Sequence, residues 1–260
     1  MKLSADGRVV LITGGSQGLG LATALAYKEA GAHVAILARG EGALQTAGEQ
    51  LAAVGAGKVL ALRCDVTSND DLVRAHRRVS AELGDVDILV NNAGKAHTKK
   101  VEQLTDADWQ GDFDLKLFAA IRLTRLVWPA MCTRRWGRII NVLNTFAKAP
   151  GAQTAPTSVT RAAGMALTKV LSAEGAPHNI LVNALLVGLI ESEQTHRWHQ
   201  TNASDKPYDQ FVSEFGKRVP LGRIGRPQEF AGTALFLGSE AAGYLTGTAI
   251  NIDGGSCPVV

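Results

Sequence analysis

The stretch VVLITGGSQGLG, from Val9 to Gly20, carries the clearest structural signal in this sequence. It opens with four apolar residues, Val9 to Ile12, whose unbroken hydrophobicity is typical of a strand buried on both faces. A glycine-rich turn follows. The alanine- and leucine-rich segment from Leu19 to Ala30, which contains no proline, then predicts a helix. The stretch therefore encodes a strand, a tight turn and a helix in direct succession.

The glycines of this turn indicate a phosphate site. Gly14, Gly18 and Gly20 keep the backbone free of Cβ atoms, so it can turn tightly and lie against a diphosphate. The N-terminus of the following helix adds free N–H groups and a partial positive charge. Glycines also end strands for structural reasons alone, but a glycine-rich turn between the first strand and the first helix is the context that dinucleotide binding requires. The sequence therefore predicts a dinucleotide site.

Composition predicts a globular protein with a full core. The chain has 260 residues, of which 46% are hydrophobic, and no linker or repeat divides it, so residues 1–260 are expected to form a single domain. The net charge is only +3, and the basic clusters are short, scattered and not interleaved with aromatic residues, so nucleic acid is not expected as a partner.

Localisation is predicted from cysteine usage and from the absence of targeting signals. The three cysteines are widely spaced, which suits a reducing compartment and provides no metal-ligand spacing. The N-terminal MKLSADGR has no signal-peptide character, and no apolar run reaches membrane-spanning length. A cytoplasmic protein without a metal or a membrane partner is expected.

The rest of the chain alternates predicted strands and helices. This alternation predicts an α/β protein, a Rossmann-like doubly wound parallel sheet with helices on both faces. The further predicted strands are Val34–Leu37, Val59–Leu62, Val86–Val90, Arg138–Leu143, Ile180–Leu186 and Ala249–Ile252. The further predicted helices are Ala43–Val54, Asp70–Leu83, Asp106–Met131, Pro156–Ala173 and Pro227–Leu237. Residues 188–218 are polar and too long for an ordinary connection, which predicts a substrate lid.

The end of the second strand bears on the choice of cofactor. In dinucleotide folds a carboxylate at this point holds the ribose 2′-hydroxyl, whereas an arginine accommodates a 2′-phosphate. Ala38 carries no charge and Arg39 follows it, which favours NADP(H) over NAD(H). The alternative is that Arg39 is simply a solvated loop residue.

Several motifs, in order, resemble the short-chain dehydrogenase/reductase family over nearly the whole chain. They are TGGSQGLG from Thr13, Asp65-Val66, NNAG from Asn91, GRIINV from Gly137 and LTGTAINIDGG ending at Gly255. The resemblance implies a seven-stranded sheet, a small-molecule substrate and a homotetramer or homodimer. It also implies that Asp65 bonds the adenine and that Asn91 braces the central strand. The full set of cofactor-binding residues expected on these grounds is Gly14, Ser16, Gln17, Gly18, Leu19, Gly20, Arg39, Asp65, Val66, Asn91, Ala93, Gly94, Arg161, Gly188 and Ile190.

The catalytic residues of the family do not carry over. The family pattern has an asparagine on the long fourth helix, a serine after the fifth strand and a Tyr-x-x-x-Lys on the next helix. Alignment with that pattern places Lys116 at the asparagine, Asn144 at the serine, Thr157 at the tyrosine and Arg161 at the lysine. The Pro-Gly expected after the sixth strand is Val187-Gly188.

These replacements differ in what they preserve. Thr157 is a poor acid, because an aliphatic hydroxyl is far harder to ionise than a phenol. Arg161 can donate hydrogen bonds to ribose hydroxyls but stays protonated, and Asn144 retains an NH₂ group that can polarise a substrate oxygen. Lys116 is either a substitute acid or a side chain that reaches solvent. Further donors near the expected pocket are His97, Lys148, His196, His199 and Tyr208.

The sequence leaves two functional hypotheses. The first is an NADP-dependent oxidoreductase with an atypical proton donor, acting on a small carbonyl, an alcohol or an activated double bond. The second is a nucleotide-binding protein with impaired turnover, such as a redox sensor or an inactive partner subunit. The polar character of the replacements favours the enzyme, because a site without catalytic function would tolerate apolar side chains at these positions.

Overall fold

The structure, a computed structural model, contains one sheet of seven parallel strands in the order β3-β2-β1-β4-β5-β6-β7. It describes residues 3–260, apart from the side chain of Gln194. The strands are β1 (Val9–Thr13), β2 (His33–Ala38), β3 (Val59–Arg63), β4 (Ile88–Asn91), β5 (Gly137–Asn144), β6 (Ile180–Val187) and β7 (Ala249–Ile252). The order reverses between β1 and β4, and a crevice for ligands opens at the carboxyl ends of the strands at such a point.

Helices cover both faces of the sheet, as the sequence predicts. They are α1 (Gly18–Glu29), α2 (Glu41–Ala52), α3 (Asn69–Glu82), α4 (Asp106–Phe113), α5 (Ala119–Arg134), α6 (Thr157–Gly175), α7 (Glu193–Asn202), α8 (Tyr208–Gly216) and α9 (Pro227–Gly238). Alternate β1 residues enter opposite cores, because successive side chains of a strand point to opposite faces. Val10 and Ile12 pack with α1, α2 and α9, whereas Val9 and Leu11 pack with α3 and α5.

The predicted long helix Asp106–Met131 is wrong in one respect. A π-helical segment, Asp114–Phe118, separates α4 from α5, and α5 continues to Arg134. Such a segment inserts one wide turn into an α-helix, which hydrophobic periodicity over many residues does not reveal. It contains Lys116, whose side chain is fully buried.

The region 188–218 is not an irregular loop, because it contains α7 and α8. Aromatic stacking holds the two helices together, with ring centroids of Trp198 lying 5.2 Å from Phe211 and 5.3 Å from Phe215. No helix among residues 3–260 is both long and apolar enough to cross a bilayer. In the same range no three His, Cys, Asp or Glu side chains come together as a metal site. Met1 and Lys2 of the N-terminal stretch lie outside the described residues.

Candidate active site

The glycine-rich turn after β1 has the backbone conformation that its sequence predicts. Gly14 and Gly18 adopt φ angles of +66° and +54°, in the left-handed region that side chains other than glycine rarely enter. A Cβ on Gly20 would lie 2.2 Å from the carbonyl oxygen of Gly14. Helix α1 begins at Gly18, and the preceding Gln17 makes no side-chain capping hydrogen bond. The first N–H groups of α1 therefore lack a side-chain cap, which fits the binding of a pyrophosphate.

Asn92 holds this turn in place, a role that was not predicted from the sequence. Its side-chain Nδ2 donates to the carbonyl oxygens of Thr13, at 2.9 Å, and Gly14, at 3.2 Å. The backbone N–H groups of Asn92 and Ala93 both donate to the hydroxyl of Thr13, each at 2.9 Å. The sequence does carry a signal for this role, because a second asparagine directly follows the strand that pairs with β1.

Asn91 braces the neighbouring strands. Its Nδ2 donates to Oδ1 of Asn141 at 2.9 Å, and Nδ2 of Asn141 donates to the Thr168 hydroxyl at 2.9 Å. This chain of buried hydrogen bonds ties β4 to β5 and to α6. The role beside the cofactor that the resemblance implies for Asn91 stays a prediction.

The part of the site that is expected to bind the adenosine lies at the carboxyl ends of β2 and β3. Oδ1 of Asp65 accepts hydrogen bonds from the backbone N–H and the hydroxyl of Thr67, at 3.0 and 2.8 Å, while Val66 is buried. Arg39 follows β2 and is exposed, and among residues 3–260 it forms no ion pair. Its guanidinium is therefore free to receive an anion.

Lys116 does not reach solvent, which corrects one of the two alternatives for this residue. Its side chain is fully buried, and Nζ donates to Oδ1 of Asp112 and, at 2.7 Å, to the hydroxyl of Thr157. Burial lowers the pKa of Lys116 to about 8, and the positive charge of Arg161 acts in the same direction, whereas Asp112 opposes the shift. The ammonium group therefore lies in the site, and burial brings its pKa closer to neutral pH than that of an exposed lysine.

Thr157 is engaged with the protein. Besides the bond from Lys116, its Oγ1 accepts from the backbone N–H of His97 at 3.0 Å and donates to the carbonyl oxygen of His97 at 2.8 Å. The residue is buried at the start of α6. The hydroxyl proton is thus directed at a backbone carbonyl.

Arg161, one turn further along α6, is also buried. Nη1 donates to the carbonyl oxygen of Val142 at 2.8 Å, and a Cβ on Gly94 would lie only 2.5 Å from Nη2. Burial lowers the pKa of Arg161 to about 10, and the charge of Asp112 opposes the shift. Gly94 therefore leaves the room that the guanidinium occupies.

Two buried polar atoms of the site have no partner among the described residues. They are Oδ1 of Asn144, at the carboxyl end of β5, and Nε of Arg161. Buried polar atoms are nearly always hydrogen-bonded in folded proteins, so each exception needs an explanation. A ligand bound at the carboxyl ends of the strands is one explanation that fits the site geometry described above.

The other candidate donors are placed less centrally. The His97 ring approaches Asp108, with 3.2 Å between Nε2 and Oδ1. Lys148 is held at β7, where it donates to the carbonyl oxygen of Ala249 and to Oδ1 of Asn251. Side chains of the predicted lid contact one another: His196 stacks on Tyr208 at 4.1 Å, and the Tyr208 hydroxyl donates to Glu191.

The start of the predicted lid lies beside the glycine-rich turn. A Cβ on Gly18 would be 3.9 Å from Cβ of Ser192. Gly188 is packed against Asp253, and Ile190 is buried. Gly188 and Ile190 therefore lie between the end of β6 and Ser192, the residue that approaches the glycine-rich turn.

The parallel sheet, its reversal between β1 and β4 and the glycine-rich turn define a Rossmann-like α/β protein. A family model described as short chain dehydrogenase matches residues 8–203. The chain belongs to the short-chain dehydrogenase family.

Individual relatives are similar along their whole length. Acetoacetyl-CoA reductase of Shinella zoogloeoides is 33% identical over 248 residues, which cover 95% of this chain and 98% of the relative. L-sorbose reductase of Gluconobacter frateurii, solved with NADPH and L-sorbose, is 32% identical with a TM-score of 0.93, and the match covers 100% of both chains. A short chain oxidoreductase of Pseudomonas aeruginosa PAO1, solved with NADPH and described as containing an atypical catalytic center, is 32% identical with a TM-score of 0.92, again over 100% of both chains.

Proposed function

We propose that this chain is an NADP(H)-dependent oxidoreductase in which Lys116, acting through Thr157, replaces the usual tyrosine as proton donor. The observation that carries the proposal is the 2.7 Å hydrogen bond from Nζ of Lys116 to Oγ1 of Thr157. The two residues stand where alignment places the asparagine and the tyrosine of the family. On that alignment Asn144 and Arg161 replace the serine and the lysine, so all four catalytic positions are substituted.

The cofactor site is proposed at the glycine-rich turn and the end of β2. The uncapped N-terminus of α1 would bind the pyrophosphate, and the exposed Arg39 would pair with a 2′-phosphate. NADPH in solved relatives from Gluconobacter frateurii and Pseudomonas aeruginosa supports the choice of NADP(H). When bound there, NADPH would supply the hydride for the substrate carbon.

The proton is proposed to follow the two-residue path. The hydroxyl of Thr157 turns from the His97 carbonyl to the substrate oxygen and donates its proton there. In the same step Lys116 Nζ passes a proton to Thr157 Oγ1 along the existing hydrogen bond, so that no free alkoxide forms and Lys116 ends as the neutral amine. An aliphatic hydroxyl is a poor acid alone, but an adjacent ammonium with a pKa of about 8 can restore its proton near neutral pH.

Arg161 and Asn144 are proposed to orient the reactants. The buried Nε of Arg161 has no partner among the described residues, and a ribose hydroxyl would satisfy it. The NH₂ group of Asn144 would polarise the substrate oxygen as the family's serine hydroxyl does. Arg161 stays protonated and takes no part in the proton transfer.

The second candidate function is a nucleotide-binding protein without ordinary turnover. It is favoured by one observation: the Thr157 hydroxyl is buried and its proton is directed at the His97 carbonyl oxygen, 2.8 Å away. If that bond never breaks, neither Thr157 nor Lys116 delivers a proton to a substrate.

The proposal extends to the surroundings of the site. Residues 188–218 would form the lid over a small carbonyl, alcohol or activated double bond, and α7 and α8 make up most of this segment. A single domain, a cytoplasmic location and a homotetramer or homodimer remain predictions.

The test combines cofactor binding with turnover. NADPH and NADH are titrated by fluorescence, and cofactor oxidation is then followed against a panel of carbonyl and enoyl compounds. Turnover should fall about 10²–10⁴-fold in Lys116→Met and in Thr157→Val, with NADPH binding retained. The matched control is Thr124→Val, which removes a buried hydroxyl that has no partner within residues 3–260.

Two results would favour the second function. One is tight NADPH binding by the wild type without turnover of any compound. The other is turnover that appears in the double variant Thr157→Tyr/Arg161→Lys, which restores the family's residues at both positions, and is absent from the wild type.

A further inference from the structure

A buried carboxylate links the helix that leads to Lys116 with the helix that carries Thr157. Asp112 lies near the end of α4 and is 4% exposed. Its Oδ1 accepts a hydrogen bond from Lys116 Nζ, and its Oδ2 accepts one from the hydroxyl of Thr160 at 2.6 Å. Thr160 follows Thr157 by three residues on α6, so both helices are fastened at the same point.

The charges around this carboxylate are unbalanced. Lys116 and Arg161 are buried cations, and Asp112 is the acid that acts on both. Lys95, in the loop after β4, adds a third positive charge that acts on Lys116. The His97 ring is turned away, toward Asp108 in the first turn of α4. A buried ammonium without a counter-charge loses its proton readily, so the state of Lys116 depends on Asp112.

We infer that Asp112 is a positioning residue of the site, which keeps the Lys116 ammonium charged and holds it against the Thr157 hydroxyl. Its role in turnover rests on the proposed function. Its effect on Lys116 rests only on the hydrogen bonds that join the side chains of Asp112, Lys116 and Thr160. A residue that merely filled space would not need a carboxylate with one oxygen on Lys116 and the other on α6.

The experiment measures the titration of Lys116 directly. The Nζ resonance is followed by NMR in ¹⁵N-lysine-labelled protein and assigned by its loss in Lys116→Met. In Asp112→Asn the pKa of Lys116 should fall by about 1 unit or more. The pH at which turnover is half-maximal should fall by the same amount, with the Kd for NADPH unchanged.

The matched control is Asp114→Asn. Asp114 is half-buried, two residues further along, and pairs with Arg122 at 3.6 Å and not with Lys116. This variant should leave the pKa of Lys116 and the pH profile as in the wild type.

A further variant covers the case in which Asp112→Asn does not fold. Thr160→Val keeps all charges and removes one of the two anchors of Asp112. It should lower kcat several-fold without changing the KM for NADPH.

An unchanged pKa of Lys116 in Asp112→Asn would overturn the inference, as would an unchanged kcat in Thr160→Val when Lys116→Met itself has lost turnover. A shifted pKa combined with full turnover in Lys116→Met would uphold the placement of Lys116 by Asp112 and overturn the proposed function instead.

Discussion

The side-chain amide of Asn92 donates hydrogen bonds to the carbonyl oxygens of both Thr13 and Gly14, so the loop after β4 fixes the turn after β1. The two strands are neighbours at the point where the strand order reverses. The geometry of the candidate phosphate site therefore depends on a residue that need not touch the cofactor.

Replacing Asn92 should loosen this turn. Asn92→Ala removes two hydrogen bonds worth about 1 kcal/mol each, so the free energy of unfolding should fall by about 2 kcal/mol. Binding of NADPH should weaken about tenfold. Urea unfolding and fluorescence titration measure the two effects. Asn69→Ala, at an exposed position in the first turn of α3, is the control and should change neither.

Arg39 should set the preference for the phosphorylated cofactor. A hydrogen bond to a charged group is worth about 1.5–3 kcal/mol, so Arg39→Ala should weaken NADPH binding about 10- to 100-fold and leave NADH binding nearly unchanged. The matched control is Arg77→Ala, since Arg77 is exposed on α3. Tighter binding of NADH than of NADPH by the wild type would exclude this role for Arg39.

Gly20 and Gly42 differ in whether the structure leaves room for a Cβ atom. A Cβ on Gly20 would lie 2.2 Å from the Gly14 carbonyl oxygen, whereas a Cβ on Gly42 would meet nothing within 4 Å. Gly20→Ala should therefore cost about 1–3 kcal/mol of unfolding free energy and abolish measurable NADPH binding. Gly42→Ala, on helix α2, should be neutral or slightly stabilising. Equal stability of the two variants would contradict the described turn.

Alkaline stability should report the burial of Lys116. With a pKa lowered to about 8, this lysine should be neutral in the folded chain and charged in the unfolded chain between pH 8 and its ordinary pKa of 10.5. Unfolding then takes up a proton, so the free energy of unfolding rises with pH across this window. The wild type should gain roughly 3 kcal/mol relative to Lys116→Met between these limits. Parallel curves for the two proteins in denaturant titrations would show that Lys116 is not perturbed.

The sheet was predictable because local sequence and global packing agree there. Continuous apolar runs such as Val9 to Ile12 mark strands buried on both faces, and Gly14 and Gly18 mark the turn. The order of the strands followed directly, and their ends moved by no more than a few residues, whereas α7 and α8 were not predicted as helices.

The residues of the candidate catalytic centre could be predicted from the sequence, but the hydrogen bonds between them could not. Alignment with the family identified Lys116 and Thr157, which lie 41 residues apart in sequence. Lys116 lies in a π-helical segment, and Asp112 accepts a hydrogen bond from Thr160 of another helix. Neither feature leaves a periodic signal in the sequence.

The pH dependence of NADPH oxidation in a single turnover, with a carbonyl substrate in excess, tests whether Lys116 is the proton donor. The wild-type rate should be constant at low pH and fall with an apparent pKa of about 8, the value that burial gives Lys116. In Lys116→Met this step should disappear and the rate at pH 7 should fall about 10²–10⁴-fold. If Lys116→Met kept the rate and the pH profile of the wild type, this result would contradict the role of Lys116 as proton donor.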